Sequence, residues 1–440
     1  MADLLIADGT VATPRRVGQA AIVVRDGRIA RVGKVRASRD AVSARGLLVL
    51  PGGIDAHVHL DLAVAGTRTA DDWRTGTRAA AAGGVTTVMD FTLGSANMPL
   101  PEQVERRRVQ AQDAAVDYGL RAEMVGWTPD RVEELAAAAE LGVRSFKFYL
   151  SYASSGRRTD LGTLRRAMET IRDLGGTAMV HAEAEELVDP QGGPFPRARP
   201  ALAEEMAIAE VGILARDTRC PTYIAHISSA RGLAALRAAQ RVGAPLVGET
   251  CPTYLLLDSR VYDRVDGHRF SVTPPLRTPD DATALWTALA ERRLQAVATD
   301  HCPFTNAQKD PFRVDPARLP SGLPGVELLL SLLYSEGVAK GRITLRDLAW
   351  SLGEGPARAF GLWPTKGAVR VGADADLVLL DPDKSWTIRA DKLHMNTDFS
   401  PYEGMTLTGR VVAVLSRGEW LVRDGEVLSR PGRGRFIPWG

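Results

Sequence analysis

The sequence predicts a (β/α)8 barrel joined to a smaller β domain that both chain ends build together. Three observations lead to this. Across residues 51–364, short apolar strand candidates alternate with helical stretches, the pattern of parallel βαβ units. Polar and titratable residues recur at the C-terminal ends of several of those strands, where barrel active sites lie. Residues 1–50 and 365–440 share a different texture of β-type runs broken by Asp-Gly pairs, the mark of one small β domain made by the two ends.

Taken in order, DLLIADGTVATP, AIVVRDGRIARVG and GLLVLPG read as strands, with Asp8-Gly9 and Asp26-Gly27 as hairpin turns between them. In the central region VTTVMDF precedes the helical PEQVERRRVQAQDAAV, and VRSFKFYL precedes DLGTLRRAMETIRDL. TAMVHAE comes before EEMAIAEVGILAR, TYIAHIS before RGLAALRAAQ, and LQAVATD before the late helices. No Gly-rich dinucleotide fingerprint or phosphate loop sits at a strand-to-helix turn, so nucleotide chemistry ranks low. The β texture then returns in GAVRVGADADLVLLDP and GRVVAVLSRGEWLVRDGEVL, with Asp424-Gly425 as a turn.

Composition narrows the function classes. In 440 residues, 45% apolar and 25% charged side chains give ample material for a large core and exclude a disordered, collagenous or coiled-coil chain. A formal charge of +2 provides no general attraction to nucleic acid or to an anionic membrane, and neither is expected as a partner. The opening MADLLIADGTVATP lacks the basic stretch and apolar run of a secretory signal, and no apolar segment approaches a membrane span, so a cytoplasmic protein is expected. Cys220, Cys251 and Cys302 have neither the number nor the spacing of a disulfide framework or a Cys-based zinc site.

Histidine is scarce, and its placement carries the chemistry. His57 and His59 sit in GGIDAHVHLD, where the two-residue period of a strand turns both imidazoles to one face. His181 closes TAMVHAE, His226 closes TYIAHIS and Asp300 closes LQAVATD. Imidazole and carboxylate together suit a borderline divalent ion such as zinc. Lys147 is the unusual residue: it is one of only seven lysines and interrupts the strand run SFKFYL, where a buried ammonium is costly unless it is paired or modified. Pairing with a carboxylate and conversion to a carbamate that bridges two ions are the two readings.

These residues resemble the cyclic amidohydrolases, and within them the dihydropyrimidinase/hydantoinase branch. The ordered segments PGGIDAHVHLD, DDWRTGTRAAAAGGVTTVMDF, SFKFYLSY, HAE, AHIS, GETCPTYL, TPPLR, TDHCPF and NTDFSPYEG carry the resemblance over nearly the whole chain. It implies a barrel with two divalent ions per subunit, usually zinc, and a β-sandwich made by the two chain ends, residues 1–50 and 365–440. His57, His59 and Asp300 would hold one ion and His181 and His226 the other, with carboxylated Lys147 between them. Asp300 would take the proton of the attacking hydroxide and Tyr152 would assist the oxyanion. Thr273, Ser321 and Gly322 would meet the substrate ring. The segment LAVAGTRTADDW after the His-x-His pair itself reads as a loop over the pocket, from which Leu62, Val64 and Trp73 are expected to contact a ring substituent.

The activity implied is the opening of a dihydropyrimidine or hydantoin to an N-carbamoyl amino acid by a homotetramer or homodimer. Allantoinase or another cyclic imide hydrolase is the alternative. A non-catalytic scaffold is the alternative of another class, and six competent metal-site positions argue against it. Asp61 stands where dihydroorotate-cleaving relatives carry an arginine, which argues against that substrate. Thr253 stands where many relatives have His, and Ser321-Gly322 where many have Asn-Gly.

Overall fold

The computed structural model describes residues 4–35 and 41–439. Eight strands, Gly53–Asp55, Val85–Phe91, Asp117–Glu123, Ser145–Tyr149, Thr177–His181, Thr222–Ile224, Leu246–Thr250 and Ala296–Val297, form one sheet in sequence order. Every neighbouring pair is parallel. Just past the strand ends the first and last units meet. Val58 bridges His301, the His59 N–H donates to the His301 carbonyl at 2.8 Å, and the Thr299 N–H donates to Asp55 at 3.0 Å. These bonds close the sheet into a barrel.

Helices return the chain between strands for local reasons. In Leu161–Asp173 the buried Leu164, Ala167, Met168 and Ile171 recur every three or four residues, so one stripe faces the barrel. Asp160 starts the helix by accepting from the Thr163 N–H at 2.9 Å. Ser229 does the same for Ala230–Arg241. Fully burying each aliphatic side chain of such a stripe stabilises the fold by roughly 1.5–3 kcal/mol.

The two chain ends share a second, nine-stranded mixed sheet. Leu48–Pro51 lies at its junction, parallel to Leu4–Ala12 on one side and antiparallel to Leu377–Thr387 on the other. Its core holds Ile6, Val11, Ile22, Val49, Leu377 and Leu415. Asp26-Gly27 and Asp424-Gly425 make the expected turns, all four residues having positive φ. Asp8-Gly9 does not. It is a bulge within the single strand Leu4–Ala12, where the register against Val17–Arg25 shifts between Ile6 and Gly9. The apolar residues on both sides of it, Ile6 and Val11, belong to one core, so the chain kinks there without reversing.

At the N-terminal end of the third barrel strand, Asp117 joins Asp374 and Asp376 in a buried acidic cluster. The Lys366 ammonium fills it, 2.6 Å from Asp117, 3.0 Å from Asp374 and 2.7 Å from Asp376, and Arg417 adds a second cation at Asp117. This cluster fastens the barrel to the terminal sheet. Lys366→Met is expected to lower the unfolding free energy by about 3–5 kcal/mol, because it strands buried carboxylates. Denaturant unfolding checks this, and a loss below about 1 kcal/mol would mean that Arg417 alone suffices.

Candidate metal centre and active site

The chemistry-bearing side chains converge at the opposite end of the barrel. His57 and His59 follow the first strand, with ring centroids 5.1 Å apart. Their Nε2 atoms lie 3.1 and 3.0 Å from one oxygen of Asp300, which follows the eighth strand. All three donor atoms fall within 4.8 Å of one another. His181 ends the fifth strand and His226 follows the sixth; His181 Nδ1 and His226 Nε2 approach to 3.0 Å. Lys147 points inward from the fourth strand and lines the same cavity as these four histidines and Asp300.

Buried carboxylates set the histidine orientations. Glu249 contacts His57 Nδ1 at 2.8 Å, and its carboxylate also accepts from the His226 N–H and the Tyr223 hydroxyl. Glu183 contacts His181 Nε2 at 2.7 Å and is itself gripped by Arg199. Each of these imidazoles therefore turns its other nitrogen toward the cavity, the usual way a protein orients a metal ligand. Asp71 holds His301 at 3.1 Å, and the backbone N–H groups of Gly325 and Val326 meet that ring's other nitrogen. His301 thus braces the chain next to Asp300 and supplies no free nitrogen.

The electrostatics favour metal donors. Burial pushes His57, His181 and His226 below the ordinary imidazole range, leaving lone pairs free of protons. Burial opposes ionisation of Asp300, but His57, His59 and Lys147 outweigh it and hold the carboxyl down at about 2. Burial also pushes Lys147 down, to about 8. Among the described residues no ion pair or hydrogen bond engages its Nζ, which lies over the Phe91 and Tyr149 rings at 5.6 and 5.3 Å. Of the two readings of Lys147, the carboxylate-paired one has no partner in the structure.

Three site residues adopt the left-handed backbone region: Tyr152 (φ 71°), His226 (φ 36°) and Asp300 (φ 50°). Non-glycine residues pay for this conformation, and such strain concentrates at functional sites. The Arg199 guanidinium stacks 4.9 Å above the Tyr152 ring. Burial raises the phenol's pKa, so it stays a proton donor.

The cavity measures about 820 Å³, and Leu62, Val64, Tyr152, Thr273, Ser321 and Gly322 all line it. Thr273 and Ser321 hydroxyls lie 3.2 Å apart. Both backbone polar groups of Gly322 are engaged. Its N–H donates to Ser271 and its carbonyl accepts from Lys309 Nζ at 2.7 Å. A Cβ on Gly322 would fall 2.4 Å from the Cys302 carbonyl, so only glycine fits. Trp73 is not in the cavity. It is buried in the first turn of the helix Trp73–Ala82, against Tyr118 and beneath Arg107, because the capped helix start turns its side chain into the core. Glu249, Glu183 and Asp71 were not singled out from the sequence. The only signal was an acid placed at or near the end of a strand, in GETCP and HAE.

A parallel eight-stranded barrel with a His-x-His pair, two further histidines and an aspartate at its strand ends defines a metal-dependent hydrolase. Residues 48–421 match the amidohydrolase family. The chain is 38% identical to the D-hydantoinase of Geobacillus stearothermophilus, with 98% of this chain and 96% of that one covered. The crystal structure of the dihydropyrimidinase from Brevibacillus agri NCHU1002 superposes with a TM-score of 0.96 at 34% identity, covering 100% and 99%. The L-hydantoinase of Arthrobacter aurescens does so at 0.92 and 28% identity, with both chains fully covered. The chain belongs to the amidohydrolase family, in its dihydropyrimidinase/hydantoinase branch. It is a metal-dependent cyclic-amide hydrolase with a two-metal centre.

Proposed function

We propose that the protein opens the ring of a dihydropyrimidine or hydantoin by hydrolysis, releasing an N-carbamoyl amino acid. The single observation that carries this is the meeting of His57, His59 and Asp300 within one ion's reach, in a cavity that also receives Lys147, His181 and His226. In this reading His57, His59 and Asp300 would hold one ion and His181 and His226 the other, and Lys147, as its carbamate, would supply a shared anionic ligand. When bound, the two ions lower the pKa of water and polarise the carbonyl under attack.

The protein's own residues do the rest. The ionised Asp300 carboxylate accepts a proton from the attacking water as the new C–O bond forms. It then delivers that proton to the ring nitrogen as the C–N bond breaks. The Tyr152 hydroxyl donates to the oxygen on which charge develops. Thr273 and Ser321 face the ring, and Gly322 forms the wall behind it.

Removing one such donor typically costs about 10²–10³-fold in turnover. Tyr152→Phe is expected to lower kcat by that factor while moving KM little. Steady-state kinetics decides, and an unchanged kcat/KM removes Tyr152 from the mechanism. The reading as a whole is tested by initial rates on zinc- and bicarbonate-loaded protein across dihydrouracil, hydantoin, 5-substituted hydantoins, allantoin, dihydroorotate and succinimide. Turnover of dihydrouracil or a hydantoin is the expected result. Turnover of allantoin alone would favour the alternative, and no turnover by protein holding two ions would overturn the reading.

Among the described residues no helix is long and apolar enough to cross a membrane. A cytoplasmic site of action fits the three cysteines, all free and buried. Leu202, Met206 and Ile213 are exposed along the helix Ala201–Thr218 and supply an apolar face for a homodimer or homotetramer, which light scattering would measure. The catalytic unit is assigned to residues 51–364 and the β domain to 1–50 with 365–440.

A further inference from the structure

Beyond the metal donors, the cavity is lined by apolar Leu62, Val64 and Leu319 and, among its described lining residues, by one further acid, Glu123, and one arginine, Arg157. Its setting is rigid. The Arg157 N–H donates to the Tyr152 carbonyl at 3.2 Å, and the carbonyl of Gly156 accepts from the Gly126 N–H at 2.8 Å. The side chain is anchored at its inner nitrogen, where Nε donates to Glu123 Oε1 at 3.3 Å.

Glu123 is already committed elsewhere. The Tyr149 hydroxyl donates to the same oxygen at 2.7 Å and the Gly94 N–H to the other at 2.6 Å. Among the described residues, no hydrogen bond engages Nη1 or Nη2 of Arg157, and the side chain stays 24% exposed. The result is a fixed guanidinium with its outer nitrogens free, at the wall of a cavity built for a small ring.

A guanidinium fork matches a carboxylate in geometry and charge. A purely apolar substituent packed here would cover those N–H groups and leave them unpaired, which is costly. We propose that Arg157 is a substrate-binding residue that selects an anionic substituent, so that the ring substrate carries a carboxylate on a short arm. This inference rests on the cyclic-amide reading above. The product is then an N-carbamoyl amino acid with an acidic side chain, and the reaction that consumes it is hydrolysis of the carbamoyl group to free that dicarboxylic amino acid.

The experiment compares 5-carboxymethylhydantoin and 5-carboxyethylhydantoin with their uncharged carboxamide counterparts, on metal-loaded wild type, Arg157→Gln and Arg157→Lys. The wild type is expected to favour each acid over its amide by roughly 10–100-fold in kcat/KM, the range for hydrogen bonds to a charged group. Arg157→Gln should erase that preference, and Arg157→Lys, which keeps the charge without the fork, should restore part of it. Because the readout is a ratio within each protein, partial misfolding or incomplete metal loading cancels. A wild type that prefers the amides, or an acid-to-amide ratio unmoved in Arg157→Gln, overturns the role of Arg157 and leaves the cyclic-amide reading standing. Protein with two ions that opens neither the acids, the amides nor unsubstituted hydantoin overturns both.

Discussion

Lys147→Ala is expected to yield a folded protein that no longer retains two metal ions, with ring-opening turnover lower by at least ~10³-fold. The lysine is 1% exposed, lies inward on the fourth strand, and has no carboxylate within ion-pair distance among the described residues. Its charge is felt at His57, His181, His226 and Asp300 alike, so it faces both donor groups. Burial drives its pKa down to about 8 and raises the share of neutral amine. In the proposed bridge that amine attacks carbon dioxide: an N–C bond would form, a proton would leave to solvent, and the side chain would become a carbamate anion. Plasma mass spectrometry of bound metal and steady-state rates check the variant. Two retained ions with near-normal turnover would remove Lys147 from the bridge. At fixed dissolved carbon dioxide, reloading of metal-stripped wild type should quicken as pH rises through about 8, because only the unprotonated amine can attack.

Asp300→Asn is the second large effect, expected to lower turnover by about 10²–10⁴-fold. Asparagine tolerates the left-handed backbone that residue 300 adopts, so the substitution removes the proposed base without adding strain. A drop in kcat with nearly constant KM, in a variant shown to retain two ions, would show that substrate still seats while proton transfer fails. If the variant keeps more than a tenth of wild-type turnover, another group is the base. Wild-type Asp300, held near 2, stays ionised throughout the working range. The acid-side limit of metal retention is therefore set by the imidazoles. Burial holds His57, His181 and His226 below 6.5, so retention should persist under that pH and fail only as these rings protonate.

The convergence of these histidines and Asp300 in one cavity was legible in the sequence because each closes or follows a short apolar run, and strand periodicity says which way such a residue points. Lys147 stood out for the same reason, as a charge inside a buried alternation. The supporting acids were not legible. Glu249 and Glu183 act through distances that only barrel closure creates, and an acid near a strand end looks the same whether it orients a histidine or meets water. Trp73 failed as a substituent contact because nearness to a loop in sequence does not fix rotation about a helix axis. Asp8-Gly9 shows the limit of turn chemistry. The dipeptide supplies the left-handed residue that a bulge and a hairpin both need, and the partner strand decides between them.

The backbone bonds that tie His57 and His59 to His301 have a consequence for how the protein is made. Five of the six proposed donor positions are synthesised well before Asp300, yet the group of His57, His59 and Asp300 is not assembled until the eighth strand docks beside the first. Capture of an ion by that group thus follows the closing of the barrel and cannot guide the early steps of folding. A chain halted short of residue 300 would present histidines in an unfinished cup and an unpaired edge of parallel sheet, a species inviting both stray metal and stray strands.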